Sequence, residues 1–336
     1  MSDKNTTKSS MAIELQRFRN LKPLLHYDGT GDINEWKKQA KKKLEELLGL
    51  PFERCSPELN VEYRKDEGNY INCRFTVQTE PGYIVPCHLL IPKGKTEPIP
   101  LTLCMSGHCN GMHISLGVAL SDDDEKCISD WPHRAMGLRA VNEGRCALVV
   151  EARNFGESSV DGYGISCLET AKLALLSGRT VIGGRVWDVM RVLDVIETDF
   201  PEVDMADIIC TGNSAGGTTT YYLSCLETRI KASAPSCSVC TYEDSIAAMP
   251  HCMCNHIPGI RKYFEMGDLA GLIAPRRLVI AAGKEDEIFP IDGVEKAFET
   301  AKSYYEKLGA ADKCTLVIGE GGHLNYADLI WDELKK

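Results

Sequence analysis

Long apolar runs are missing from this chain, and so is any surplus of positive charge. No stretch approaches the roughly 18 apolar residues that a membrane-spanning helix requires. The opening segment, Met1 to Ser10, is polar and lacks the apolar h-region of a secretory signal. The expectation is a cytoplasmic protein with no membrane partner. Lysine and arginine number 38 against 48 aspartates and glutamates, for a formal charge of −10. A concentrated basic face for nucleic acid or an anionic bilayer is therefore not expected. The short basic run Lys41 to Lys43 falls inside Trp36 to Leu48, where Leu44, Leu47 and Leu48 supply an apolar side. It reads as the solvated face of a helix.

Neither an internal repeat nor a low-complexity linker interrupts the 336 residues, and 43% of them are hydrophobic, enough for a large buried core. Cysteine, by contrast, is abundant. The 15 cysteines are an odd number, scattered singly through apolar segments and not spaced as in a small secreted disulfide scaffold, so buried free thiols are expected.

The chain divides by rhythm. Residues 1–55 read as an N-terminal extension: a polar tail, then a helix that starts near Asp32 and is stopped by Gly49 and Pro51. Residues 56–336 read as one catalytic domain. It opens with antiparallel alternation in Asn69 to Gln78 and Tyr83 to Ile91, separated by Glu80-Pro-Gly82. Short continuous apolar runs then alternate with helical segments: Leu101 to Met105, Ala147 to Val150, Asp207 to Thr211, Leu278 to Ala282 and Cys314 to Ile318. That rhythm predicts an α/β fold with a mostly parallel sheet covered on both faces. Val181 to Ile196 is predicted as a long helix whose stripe is Ile182, Val186, Val189, Leu193 and Ile196. Residues 237–266, with Pro250 and Pro258, follow neither period and read as an inserted lid or loop.

Gly212-Asn-Ser-Ala-Gly216 follows the apolar run Ile208-Ile-Cys210 and precedes a helix-compatible stretch through Glu227. A strand-to-helix turn this sharp strains the serine backbone and lifts the Ser214 hydroxyl above the sheet, at the positive end of a helix. A nucleophilic serine needs a base and an orienting carboxylate, in the chain order Ser, Asp or Glu, His. Asp286 sits in the loop Gly283 to Pro290, after one apolar run, with Glu285 and Glu287 as alternatives. His323 sits in Glu320-Gly-Gly-His323, after another. Of the other histidines, His26, His88 and His133 have no turn context, and His251 and His256 precede any plausible acid. The oxyanion hole needs two backbone N–H donors. Ala215 supplies one as the residue after the nucleophile, and His108, in the loop after Leu101 to Met105, is chosen for the second through its backbone.

Cys237, Cys240, Cys252 and Cys254, with His251 and His256, have the residue types of a zinc site. The adjacent H-C-x-C spacing crowds a tetrahedron, so packed thiols and no metal are expected.

Several segments together resemble the acetyl xylan esterase and dienelactone-hydrolase-like carboxylesterase branch of the α/β-hydrolase superfamily. They are Val85 to Pro92, Glu151-Ala-Arg-Asn-Phe-Gly-Glu-Ser158, Gly178-Arg-Thr-Val-Ile-Gly-Gly-Arg-Val-Trp-Asp188, the Ser214 turn, Cys254 to Gly259, Leu272-Ile-Ala-Pro-Arg276, and the Asp286 and His323 loops. The resemblance spans about residues 58 to 330. It implies an α/β-hydrolase fold, a triad of Ser214, Asp286 and His323, no metal or organic cofactor, and small acyl esters, including acetylated sugars, as substrates. Relatives usually carry His-Gly where this chain has Ser106-Gly107.

The function expected is that of a serine carboxylesterase on a small-molecule or carbohydrate ester. The alternatives are a peptidase or amidase on the same fold, for which no screening domain fits in the first 55 residues, and a catalytically silent binding protein. A homo-oligomer is compatible with everything above.

Overall fold

The computed structural model describes residues 9–96 and 98–336. Nine strands form a single sheet: β1 (Asn60–Asp66), β2 (Tyr70–Glu80), β3 (Tyr83–Pro92), β4 (Ile99–Met105), β5 (Cys146–Val150), β6 (Val203–Asn213), β7 (Ile230–Ser236), β8 (Arg277–Gly283) and β9 (Cys314–Gly319). Their spatial order is β1-β2-β3-β5-β4-β6-β7-β8-β9. The pairs β1·β2, β2·β3 and β3·β5 are antiparallel, and the remaining pairs are parallel. The expected α/β architecture with antiparallel N-terminal strands is the one found. Two strands were not named in the sequence: β1, which is exposed along its whole length, and β7, whose run Ile-Lys-Ala-Ser-Ala-Pro-Ser is built largely of small residues, although all but Lys231 are buried.

Alternate residues along each strand feed opposite faces of the sheet. Leu101, Leu103 and Met105 of β4 join the main core, while Cys104 joins a second core with Ala147 and Val149 of β5. The main core is covered by the helices Ile33–Leu48, Val181–Asp199, Ala215–Leu226 and Ile291–Lys307. The other face is covered by the helices Met136–Asn142 and Ala327–Leu334.

Local chemistry sets these helices where the sequence suggested. Asp32 caps Ile33–Leu48 by accepting from the Asn34 N–H at 2.8 Å, and Gly49 ends it at φ 79°. Its four-residue stripe Trp36, Ala40, Leu44 and Leu48 is buried in the main core. Thr180 caps Val181–Asp199 through the Gly183 N–H, and all five residues of the expected stripe are buried. Residues 237–266 contain only short helical turns, at Met253–Asn255 and Ile260–Tyr263. No helix among the described residues is long and apolar enough to cross a membrane.

Parallel pairing has one consequence for chemistry. The carboxyl ends of β4, β6, β7, β8 and β9 all open on one edge of the sheet, and β4 lies between β5 and β6, where the strand order reverses. Loops leaving the sheet at such a point share a crevice.

Because Leu44 is wholly buried, Leu44→Ala is expected to cost about 2–5 kcal/mol. A lowered urea midpoint with an unchanged m-value would confirm that this helix belongs to the cooperative core.

Candidate active site

β6 ends at Asn213, and Ala215 begins the next helix, so Ser214 alone makes the turn. Its backbone adopts φ 55° and ψ −121°, a conformation that residues with a β-carbon avoid. Close contacts hold it there. The Ser214 N–H donates to Ser236 O at the end of β7 at 2.9 Å, and Ser214 O accepts from the Thr218 N–H at 2.8 Å. Glycine is required on both sides by proximity. A β-carbon at 212 would lie 2.5 Å from the Gly216 backbone, and one at 216 would lie 1.9 Å from Met105 O.

The loop after β4 runs beside the serine. A β-carbon on Gly107 would meet Asn213 O at 2.8 Å and Ser214 Cβ at 3.5 Å. Ser106 is buried, and its hydroxyl lies 2.8 Å from Ser115 Oγ. The ring of His108 turns toward Phe155, 5.2 Å between centroids, and toward Cys254 Sγ, 3.6 Å from Nε2.

Asp286 and His323, 37 residues apart, meet at the carboxyl ends of β8 and β9. His323 Nδ1 lies 2.8 Å from Asp286 Oδ2. Asp286 Oδ1 accepts from the N–H groups of Ile288 at 2.8 Å and Phe289 at 3.0 Å. Burial opposes ionisation of this carboxyl, but the His323 and backbone hydrogen bonds outweigh it and hold its pKa below the ordinary value. Glu285 and Glu287 are exposed on the same loop, and among the described residues neither is hydrogen-bonded to His323. Phe289 stacks on the imidazole, with centroids 5.8 Å apart and planes 14° apart. Among the described residues, His323 Nε2 has no hydrogen-bond partner and Ser214 Oγ is not yet bonded to it. Both side chains are partly exposed.

One neighbour of this pair was legible only as a packed thiol. Cys237 follows β7 at φ 47°, and its Sγ lies with the ligand atoms of Asp286 and His323 in one group less than 4.8 Å across. Burial, then the Asp286 charge, pushes the thiol up to about 12, so it stays protonated and donates to Leu324 O at 3.1 Å. It braces the residue after His323. Nothing in the sequence pattern signals a positive φ at a cysteine.

Glu151, the first residue after β5, lies beneath the same edge. Its carboxylate faces the N–H groups of Met112 at 3.1 Å and Glu157 at 3.3 Å, tying two loops together. Two cavities of about 370 and 310 Å³ are lined by other residues, around Tyr242 and His256 and around Arg74 and His88. Neither includes Ser214 or His323.

A strained serine at a strand-to-helix turn, with an Asp–His pair at the ends of two later parallel strands, defines an α/β-hydrolase. The chain belongs to the Abhydrolase family, whose model matches residues 2–308. It is 24% identical over 293 residues to a Bacillus subtilis (strain 168) protein named "Putative hydrolase YtaP", covering 86% of this chain and 94% of that one. The fold is shared with a structure described as a "putative acetyl xylan esterase" from Bacteroides fragilis, at TM-score 0.79 and 20% identity over 95% of this chain and 84% of the other. It is also shared with a glucuronoyl esterase from Solibacter usitatus, at TM-score 0.69 and 16% identity over 94% and 96%.

Burial raises the Glu151 carboxyl from 4.5 to about 8, against the opposing pull of the Met112 and Glu157 N–H groups. The folded state then holds a proton that the unfolded chain has lost, so stability declines as pH rises from about 4.5 to about 8. Glu151→Gln cannot ionise and is expected to flatten that decline. Urea midpoints measured across this pH range check it.

Proposed function

We propose that this chain is a serine carboxylesterase acting on small acyl esters, with acetyl esters of carbohydrates as the first class to test. The observation that carries the reading is the Asp286–His323 pair. A carboxylate already saturated by two backbone amides fixes the Nδ1–H tautomer and leaves Nε2 free to accept a proton.

In this reading Ser214 Oγ attacks the ester carbonyl as its proton passes to His323 Nε2, and Asp286 stabilises the imidazolium. The oxyanion is received by the N–H groups of Ala215 and His108. His323 then returns the proton to the departing alcohol, leaving an acyl group on Ser214. Water, deprotonated by the same imidazole, releases the acid and restores the serine. The Ser214–His323 contact must close to about 2.6–3.2 Å when substrate binds, a tightening common from substrate-free geometry.

The phenyl stacked on His323 and the partial exposure of both side chains suit a small acyl group with an alcohol that remains largely in solvent. A reducing, cytoplasmic setting is part of the proposal, supported by fifteen cysteines scattered singly along the chain.

Ser214→Ala is expected to lower kcat/KM on p-nitrophenyl acetate by far more than about a hundredfold, and Asp286→Asn by about a thousandfold or more. A loss smaller than about a hundredfold in Ser214→Ala contradicts a covalent role. Comparing acetyl, butyryl, feruloyl and methyl-uronate esters then assigns the acyl group and alcohol.

A further inference from the structure

The thiols grouped by spacing in the sequence are regrouped by the fold. Cys237 lies beside Asp286 and His323, and Cys240 Sγ faces Pro290 O. Cys252 and Cys254 instead meet Cys167 and His108, and the four ligand atoms all lie within 4.8 Å of one another. We propose that Cys167, Cys252, Cys254 and His108 form a structural zinc site.

The donor set is the borderline-soft thiolate and imidazole combination of closed tetrahedral zinc sites. Its dimensions fit. With Zn–S about 2.3 Å and Zn–N about 2.05 Å, the sulfur-to-nitrogen edge of a tetrahedron is about 3.6 Å, and Cys254 Sγ and His108 Nε2 are 3.6 Å apart. The local spacing problem is removed because the residue adjacent to Cys252, His251, points elsewhere, to Ser245 Oγ and Asn255. Cys167 opens the helix Cys167–Leu176.

A second observation points to the same ligand. Arg185 is buried and lies against this cluster, with its guanidinium 3.3 Å from Cys167 Sγ, on Arg153 O, and over the Phe155 ring at 4.3 Å. Among the described residues no carboxylate pairs with it. A buried guanidinium without a counter-charge is costly. Three thiolates, one neutral imidazole and one divalent cation sum to a charge of −1, which Arg185 balances. Zinc binding would release the protons still held by the three thiols, leaving the site at that charge. The ion would join three distant segments: the loop after β4, the start of the 167–176 helix, and residues 252–254.

The test uses the full chain, purified without a metal-binding tag or chelator and analysed by inductively coupled plasma mass spectrometry. About one zinc per chain is expected. Cys252→Ser and Cys254→Ser are expected to bring it below about 0.2, while Cys127→Ser, a thiol away from the cluster, leaves it unchanged. Should the serine variants fail to fold, cobalt(II) exchanged into the unmutated protein is expected to show the intense visible bands of a tetrahedral thiolate site. Protein that keeps less than about 0.2 zinc after dialysis against the metal, shows no such cobalt spectrum, or carries a disulfide between any two of these cysteines overturns the proposal.

Discussion

The candidate site depends on one backbone conformation, the φ 55°, ψ −121° turn at Ser214. Such a geometry costs on the order of 1–3 kcal/mol and persists only where its surroundings over-determine it. Here they do: a hydrogen bond to the end of β7, another into the following helix, and backbone so close at residues 212 and 216 that only glycine fits. The strain is carried by the parallel sheet, whose neighbouring strands end in register with β6. Once that turn is held, the serine hydroxyl is presented at the edge where the loops of β4, β8 and β9 also emerge.

Much of this could be read from residue order. The continuous apolar runs that became β4, β5, β6, β8 and β9, and the capped helices at 33–48 and 181–199, carry their period and their stop signals locally. Asp286 was preferred in the sequence with Glu285 and Glu287 left as alternatives, because three acidic residues stand within one loop. In the fold it is Asp286 whose carboxylate accepts from the backbone amides of Ile288 and Phe289 and lies 2.8 Å from His323 Nδ1. β7 escaped because alanine, serine and proline fill it, and its burial comes from position between β6 and β8. The neighbours of Cys237 and the partners of Cys252 and Cys254 depend on loops that meet only in three dimensions.

Those loops give the site its second layer. Glu151 ties the segments at 112 and 157, Cys237 supports the residue after His323, and Arg185 sits under the four-residue cluster that includes His108. His108 thereby belongs to two arrangements at once. Its backbone lies on the loop beside Ser214, and its ring faces the thiols. The same contact joins that loop, with the proposed oxyanion donor, to the 252–254 segment.

The central claim is that hydroxyl 214 becomes nucleophilic through imidazole 323. Labelling with a fluorophosphonate, followed by peptide mapping, tests it most directly. The account predicts a single phosphonyl adduct on Ser214, formed readily by the unmutated chain and nearly abolished in His323→Ala. An unlabelled Ser214 in folded protein, or equal labelling with and without His323, would contradict it.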